Sequence, residues 1–205
     1  MEERNLEEET LRYYAEHAAD FAADTLDVSF SAVQNRFLAL LPRGGRILDF
    51  GCGAGRDTRA FLARGFLVDA VDGSPALAKI ASANTEIPVR CLRFQELSAE
   101  KRYDGIWACA SILHVPMAAL PDVLFRMSRA AKPGGILYVS FKYGTFSGLR
   151  NGRYFTDLNE AGLSRFLAAR PELSLVEEWV SGDARPGRAS ERWLNALLRK
   201  TPSDC

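Results

Sequence analysis

The chain has 205 residues, of which 47% are hydrophobic, and it carries 26 acidic and 26 basic side chains. This length and composition are typical of one globular domain with a full hydrophobic core. The formal net charge of zero argues against a protein whose main ligand is a nucleic-acid backbone, because that binding depends on clustered excess cations.

The cysteines and the chain start predict a protein of a reducing compartment. The four cysteines show no CxxC spacing, and with only two histidines we expect no structural zinc site. The acidic N-terminal segment lacks the apolar core of a signal peptide, and no apolar run approaches the ~20 residues that span a bilayer. We therefore expect a cytoplasmic protein that binds no membrane. The cysteines are Cys52, Cys91, Cys109 and Cys205.

The hydrophobic pattern predicts an alternation of helices and strands. The predicted helices cover residues 7–23, 31–40, 57–64, 75–83, 117–131 and 157–169. The predicted strands cover residues 46–50, 66–71, 88–94, 104–108, 136–141 and 173–179. Residues 191–200 fit a helix or a strand equally well by periodicity alone. This alternation predicts a doubly wound α/β fold, whose ligands bind at the carboxyl ends of the strands.

The segment DFGCGAGRDT, residues 49–58, follows the first predicted strand directly. Its three glycines let the backbone pass close to a ligand, and the next helix offers free N–H groups. A tight strand-to-helix turn alone would use the same glycines. Asp72 ends the second predicted strand, where an acid accepts hydrogen bonds from ribose hydroxyls. The pair of features favours a nucleoside-containing cofactor over a simple turn.

The spacing of the glycines indicates which cofactor class is bound. Dinucleotide-binding folds favour G-x-G-x-x-G, in which the third glycine lies inside the helix. Here the spacing is G-x-G-x-G, and Arg56, Asp57 and Thr58 follow. The pattern therefore disfavours a nicotinamide dinucleotide.

With these motifs the chain resembles the class I S-adenosylmethionine-dependent methyltransferases. The resemblance rests on LDFGCGAG, AVDGSP, YDGIWACASILHVP and AAKPGGILYVS, which occur in that order. The loop GCGAGRD is also similar to that of small bacterial methyltransferases related to the tellurite-resistance enzyme. The resemblance implies a Rossmann-like, mostly parallel seven-stranded sheet with an antiparallel last strand, which residues 191–200 would form. It further implies a single domain, with a helical lid over residues 1–42 and a cofactor-binding core over 43–205.

The resemblance also implies the residues that bind S-adenosylmethionine. The glycines would pass beneath its methionine and ribose, Asp49 would reach its amino group and Arg56 its carboxylate. Asp72 would accept from the ribose hydroxyls, and either Gln95 or Glu96 would meet the adenine amine. The full expected set is Tyr14, Asp49, Gly51, Cys52, Gly53, Gly55, Arg56, Asp72, Gly73, Ser74, Phe94, Gln95, Glu96, Cys109 and Ala110.

Polar residues after the fourth, fifth and sixth strands are candidates for the methyl acceptor. His114 is either a general base or a packed, hydrogen-bonded histidine. The cations would bind a small anionic or polar acceptor, or would form a solvated loop. The expected acceptor residues are Lys142, Tyr143, Arg150, Arg153, Asp183, Arg185 and Arg188.

One further comparison narrows the class of the expected methyl acceptor. Methyltransferases that act on exocyclic base amines carry an Asn/Asp-Pro-Pro-aromatic tetrad after the fourth strand, whereas residues 109–112 read CASI. We therefore expect methyl transfer to a small molecule rather than to nucleic acid. The alternative is a protein that binds S-adenosylmethionine without turning it over. The sequence gives no expectation for the oligomeric state.

Overall fold

The computed structural model describes residues 2–185, 187–188 and 190–201, so Cys205 lies outside the described residues. The helices are α1 (Glu2–Glu16), α2 (Ala18–Thr25), α3 (Ser31–Leu38), α4 (Arg56–Ala63), α5 (Pro75–Thr85), α6 (Leu120–Ala130) and α7 (Glu160–Ala168). The strands are β1 (Arg46–Phe50), β2 (Leu67–Asp72), β3 (Val89–Cys91), β4 (Tyr103–Ala108), β5 (Ala131–Lys142), β6 (Ser147–Arg150), β7 (Arg153–Thr156), β8 (Leu173–Gly182) and β9 (Arg192–Lys200).

Seven strands form one sheet in the order β3-β2-β1-β4-β5-β9-β8, and β6 pairs with β7 as a separate hairpin. The pairs among β1 to β5 are parallel, whereas β9 runs antiparallel to both β5 and β8. This confirms the mostly parallel seven-stranded sheet, and it shows that the segment at 191–200 is a strand. From β1 the chain adds β2 and β3 on one side, and it then returns to add β4 and β5 on the other side of β1. Such folds bind ligands at this switch point, between β1 and β4.

Several boundaries differ from the sequence prediction. The helix predicted at 7–23 is two helices, because His17 leaves the helical conformation with φ −115° and ψ 20°. The strand predicted at 88–94 ends at Cys91, and a 3₁₀ turn follows at Phe94–Glu96. The sixth strand extends to Gly182. The β6–β7 hairpin was not predicted at all.

Both faces of the sheet are covered by helices. On one face α6 contributes Val123 and Met127 to the core. On the other face Phe37 of α3 and Phe61 of α4 pack with Trp107 of β4. Phe37 makes α3 part of the core packing, although α3 lies within the predicted helical lid. The division into a lid over residues 1–42 and a core over 43–205 therefore stays a prediction. None of the helices in the described part of the chain is long and apolar enough to cross a membrane.

Gly105 in β4 lies directly beneath α3, and this generates a stability prediction. A Cβ at this position would lie 2.5 Å from Cζ of Phe37 and 2.8 Å from Cδ1 of Leu41. We expect Gly105→Ala to lower the free energy of unfolding by about 1–3 kcal/mol through overpacking, measured by urea denaturation. Combined with Phe37→Leu, which removes the clashing ring, it should cost less than the sum of the two changes. Strict additivity would show that the two sites do not touch.

Candidate functional site

A cavity of about 550 Å³ opens at the carboxyl ends of β1, β2, β4 and β5. The glycine loop and Asp72 line one side of it, and Lys142 and Arg185 line another. Helices α1 and α2 and the β6–β7 hairpin cover it, with Tyr14 and Arg153 among the lining residues. The volume is in the range typical of small-molecule and cofactor sites.

Asp72 ties the end of β2 to the glycine loop. Its Oδ2 accepts a hydrogen bond from the Gly53 N–H at 2.9 Å, and its Oδ1 accepts one from the Ser74 N–H at 2.8 Å. Burial raises the pKa of Asp72 to about 6, against the two backbone hydrogen bonds, which lower it. Each carboxylate oxygen can accept a second bond, so the group remains able to receive ribose hydroxyls.

The loop needs glycine at residue 51 because the chain passes close to the segment after β4. Gly51 has φ +83°, and a Cβ there would lie 2.4 Å from Cβ of Ser111. Gly51 lines the cavity together with most of the other residues expected at the cofactor. Those that line it are Tyr14, Gly51, Cys52, Gly53, Arg56, Asp72, Gly73, Phe94, Gln95, Cys109 and Ala110.

Two expected cofactor residues lie behind the loop instead. Gly55 begins α4, and a Cβ there would lie 2.6 Å from Cγ2 of Thr85, so it allows α4 and α5 to pack. Asp49 is buried and accepts a hydrogen bond from Oγ1 of Thr58 at 2.6 Å. Burial, and next the negative charge of Asp57, raise the pKa of Asp49 to about 8. Direct contact of either residue with the cofactor stays a prediction that this placement does not support.

Two more expected residues serve as caps outside the cavity wall. Oγ of Ser74 accepts the Leu77 N–H at the start of α5, at 3.4 Å. Oε2 of Glu96 accepts the Arg93 N–H at 2.8 Å, so the side chain points back along its own turn. Gln95 lines the cavity, and its Oε1 is buried without a hydrogen-bond partner.

Asp57 is a buried residue of the site whose carboxylate accepts several hydrogen bonds, and the sequence did not predict it as a site residue. It accepts hydrogen bonds from Nε2 of Gln34 at 2.7 Å and Nε1 of Trp107 at 2.8 Å. Nε and Nη2 of Arg56 also bond to it, at 2.9 and 2.8 Å. Arg56 therefore lines the cavity with its guanidinium already held by a carboxylate and stacked over Phe30 at 4.7 Å. An acid in the first turn of a helix was the available signal, but it did not indicate these partners.

His114 lines the cavity in a fixed orientation. Nδ1 lies 2.6 Å from the carbonyl oxygen of Tyr154, which can only accept, so Nδ1 carries the proton. Nε2 then accepts the O–H of Tyr14 at 2.8 Å. Burial, and the nearby positive charge of Arg153, lower the pKa of His114 to about 4. These contacts favour the hydrogen-bonded alternative for His114, and the general-base role stays a prediction.

All seven residues expected at the acceptor line the cavity. Most of their charges are paired within the protein. Lys142 pairs with Glu191, and Arg150 bonds to Asp157 at 2.7 Å. Burial lowers the pKa of Lys142 to about 8, although the negative charge of Asp183 raises it. The remaining contacts are Arg185 with Asp183, Arg188 with Glu191, and the Tyr143 hydroxyl with Glu160.

Arg153 differs from these cations. Among the described residues it has no carboxylate within salt-bridge distance, and its one hydrogen bond is a long contact of 3.5 Å with the Tyr14 hydroxyl. The predicted convergence of cations is therefore present, but four of the five cations form ion pairs within the described part of the protein, and Arg153 forms none.

Comparisons with known proteins identify the family. A family model described as a methyltransferase domain matches residues 14–169. The chain belongs to the class I S-adenosylmethionine-dependent methyltransferases. This confirms the enzyme class and the cofactor expected from the sequence.

The relatives of known name share only part of their length with this chain. A ubiquinone biosynthesis O-methyltransferase of Xanthomonas oryzae pv. oryzae is 31% identical over 105 residues, which are 47% of this chain and 43% of that protein. The chain thus matches less than half of the relative. The narrower resemblance to the tellurite-resistance enzymes finds no support among these relatives.

Two solved structures extend the similarity over most of the fold. A 1,6-didemethyltoxoflavin-N1-methyltransferase of Burkholderia thailandensis, with bound 1,6-didemethyltoxoflavin and S-adenosylhomocysteine, is 25% identical with a TM-score of 0.71, covering 93% of this chain and 89% of its own. The N-methyltransferase NodS of Bradyrhizobium japonicum, in complex with S-adenosylhomocysteine, is 18% identical with a TM-score of 0.67, covering 91% and 97%. The second similarity shows the fold alone.

The lowered pKa of His114 predicts a pH dependence of stability. The folded state holds this proton less tightly than the unfolded state, so the contribution of His114 to the free energy of unfolding falls as the pH drops from about 6.5 to about 4. Urea denaturation across this range should show a shallower loss of stability in His114→Asn than in the unchanged protein. His17→Asn, a change of the only other histidine, which is exposed, is the matched control. Identical slopes for all three proteins would contradict the assignment.

Proposed function

We propose that this protein transfers the methyl group of S-adenosylmethionine to a small polar or anionic acceptor held in the cavity. One observation carries the proposal. A single cavity is lined by the glycine loop and Asp72 of the family's cofactor motif and by polar side chains from β5, the β6–β7 hairpin and the β8–β9 loop. Cofactor and acceptor can therefore meet without any large movement of the sheet.

The residues present fit the cofactor. Asp72 offers carboxylate lone pairs where the ribose hydroxyls are expected, beside the backbone of Gly53. The buried Oε1 of Gln95 lacks a donor, which an adenine amine would supply. Glu96 is exposed and bonded to its own turn, so we assign the adenine contact to Gln95.

Methyl transfer requires mainly that the protein position the acceptor against the methyl group of the cofactor. When bound, S-adenosylmethionine supplies an activated methyl group that a nucleophile on the acceptor displaces in line. Tyr14, held by His114, covers the cavity from α1 and would exclude water from the transfer. Arg56 and Asp57 stay fixed to each other, so the floor of the site is set before binding. No step requires a general base unless the acceptor must first lose a proton.

The acceptor class is inferred from size and charge. A cavity of about 550 Å³ that also holds the cofactor leaves room for a small molecule. Arg153, which forms no ion pair among the described residues, favours a polar or anionic one. The chain has no net charge and lacks the tetrad of base-amine methyltransferases, so nucleic acid is disfavoured as an acceptor. The narrower resemblance to the tellurite-resistance enzymes stays a prediction.

Thermal unfolding tests the cofactor. At one hundred times its dissociation constant, a ligand that binds only the folded protein adds ~2.7 kcal/mol of stability. For a chain of this size we expect a rise of about 5–10 °C in the unfolding midpoint with S-adenosylmethionine or S-adenosylhomocysteine. NAD at the same concentration should cause no shift. A shift with NAD alone would overturn the proposal.

Turnover separates the enzyme from a non-catalytic binding protein. S-adenosylmethionine is incubated with the protein and a cell extract filtered to remove macromolecules, and S-adenosylhomocysteine is measured. Formation that depends on both protein and extract supports a small acceptor. Formation only with the retained macromolecules would contradict it, and binding without formation in either fraction would favour the binding protein.

The role of Asp72 is tested by comparison with a second acid on the same strand. Asp72→Ala removes the acceptor for the ribose hydroxyls and for two N–H groups, so we expect the affinity for S-adenosylhomocysteine to fall by about tenfold or more. Asp69→Ala is the control, because Asp69 pairs with Arg46 and Arg102 instead and does not line the cavity. Calorimetric titration at pH 8 measures both. Equal losses in the two variants would refute the assignment.

A further inference from the structure

The β6–β7 hairpin presents one of its faces to the cavity. Residues 153 and 155 of β7 point to the same side, and Arg150 pairs with Arg153 across the turn. Asp157 directly follows β7 and continues the alternation, with its N–H donating to the carbonyl of Phe146 at 2.7 Å. The residues of this hairpin face, Arg150, Arg153, Phe155 and Asp157, all line the cavity.

The hairpin is anchored to the rest of the protein through the backbone of Tyr154 and the side chain of Thr156. The Tyr154 N–H donates to Oγ1 of Thr10 in α1 at 2.9 Å, and the Tyr154 carbonyl accepts from His114. Oγ1 of Thr156 donates to the carbonyl of Val115 at 2.8 Å. These buried bonds fix the position of the hairpin face before any ligand binds.

Two polar atoms of the hairpin face have no partner. Nε of Arg153 is a buried donor without an acceptor, and Oδ1 of Asp157 is a buried acceptor without a donor. Asp157 as a whole is buried, and its other oxygen is occupied by Arg150. Unsatisfied buried polar atoms are uncommon and destabilise the folded protein. A ligand that supplies one hydrogen-bond acceptor and one donor beside this pair would remove that cost.

The hairpin face also carries an unbalanced charge. Arg150 and Asp157 neutralise each other, which leaves the positive charge of Arg153 uncompensated among the described residues. The Arg153 guanidinium lies between aromatic rings, 4.5 Å from the ring centre of Tyr13 and 5.3 Å from that of Phe155. Phe155 also lines the cavity, and its buried ring lies 5.0 Å from the Arg150 guanidinium and 5.3 Å from that of Arg153, so it adds an apolar edge beside them.

We propose that Arg153 and Asp157 determine the acceptor, and that the acceptor is an aromatic acid that also carries a hydroxyl or amino group. The acid group would receive N–H groups of the Arg153 guanidinium, the hydroxyl or amine would donate to the Asp157 carboxylate, and the ring would lie beside Phe155. This inference rests on the proposed function, since it names the substrate class of the same site.

The test measures binding to protein saturated with S-adenosylhomocysteine. The probes are the hydroxybenzoates and aminobenzoates, their methyl esters, and unsubstituted benzoate, titrated by calorimetry. At least one hydroxybenzoate or aminobenzoate should bind tenfold or more tightly than its own ester, because a charge-assisted hydrogen bond is lost in the ester. It should also bind more tightly than benzoate.

Variants separate recognition from folding. Arg153→Gln should reduce the preference for acid over ester to near one, and Arg153→Lys, which keeps the charge, should retain part of it. Asp157→Asn should abolish the advantage over benzoate. Arg165→Gln, a change of an exposed arginine on α7, is the matched control and should leave both preferences unchanged. The affinity for S-adenosylhomocysteine should be the same in all four variants and thus report an intact fold.

Three outcomes would overturn the inference. They are that no hydroxybenzoate or aminobenzoate binds better than its ester, that the acid preference survives in Arg153→Gln, and that Arg165→Gln abolishes it equally. Failure of the unchanged protein to bind S-adenosylhomocysteine would instead overturn the proposed function.

Discussion

The carboxylate of Asp57 is the contact on which the geometry of the site depends. It is buried and accepts hydrogen bonds from α3 through Gln34, from β4 through Trp107 and from the neighbouring arginine of α4. Trp107 in turn stacks on Tyr138 of β5 at 4.0 Å between ring centres. Since removal of the carboxylate would leave several buried donors without a partner, this one side chain holds α3, α4 and β4 together beside the glycine loop.

The opposite wall of the cavity is held together by a second set of buried bonds, centred on His114. This ring joins α1 to the hairpin, because it accepts from Tyr14 and donates to the Tyr154 carbonyl. In the neutral ring Nε2 accepts the Tyr14 O–H, whereas a protonated ring would donate to the same oxygen and would place a buried positive charge near Arg153. The pKa of His114 is lowered because the ring is buried and lies near the positive charge of Arg153, which is independent of any part in catalysis.

The alternation of strands and helices and the glycine loop could be predicted because they depend on local sequence signals, whereas the seven-stranded sheet with its antiparallel last strand was implied by the family resemblance. Alternating elements, three glycines and the terminal acid Asp72 suffice for a doubly wound sheet with a cofactor at its carboxyl edge. The hairpin escaped notice, although Asn151 and Gly152, with φ of +52° and +75°, form the Asn-Gly turn that marks such hairpins. The partners of Asp57 and Arg153 could not be predicted, because they come from segments far apart in the chain.

Convergence of charged residues does not by itself make an anion site. Lys142 and Arg185 were expected to bind the acceptor, yet both face Asp183, whose own pKa is held below its usual range by Arg185. A sequence shows that cations lie at strand ends, but the field in the cavity depends on which carboxylates fold back onto them. Because most of these cations are paired with carboxylates, we expect selectivity for the acceptor to depend on the few polar groups that lack a partner. On the β6–β7 side of the cavity these groups belong to Arg153 and Asp157.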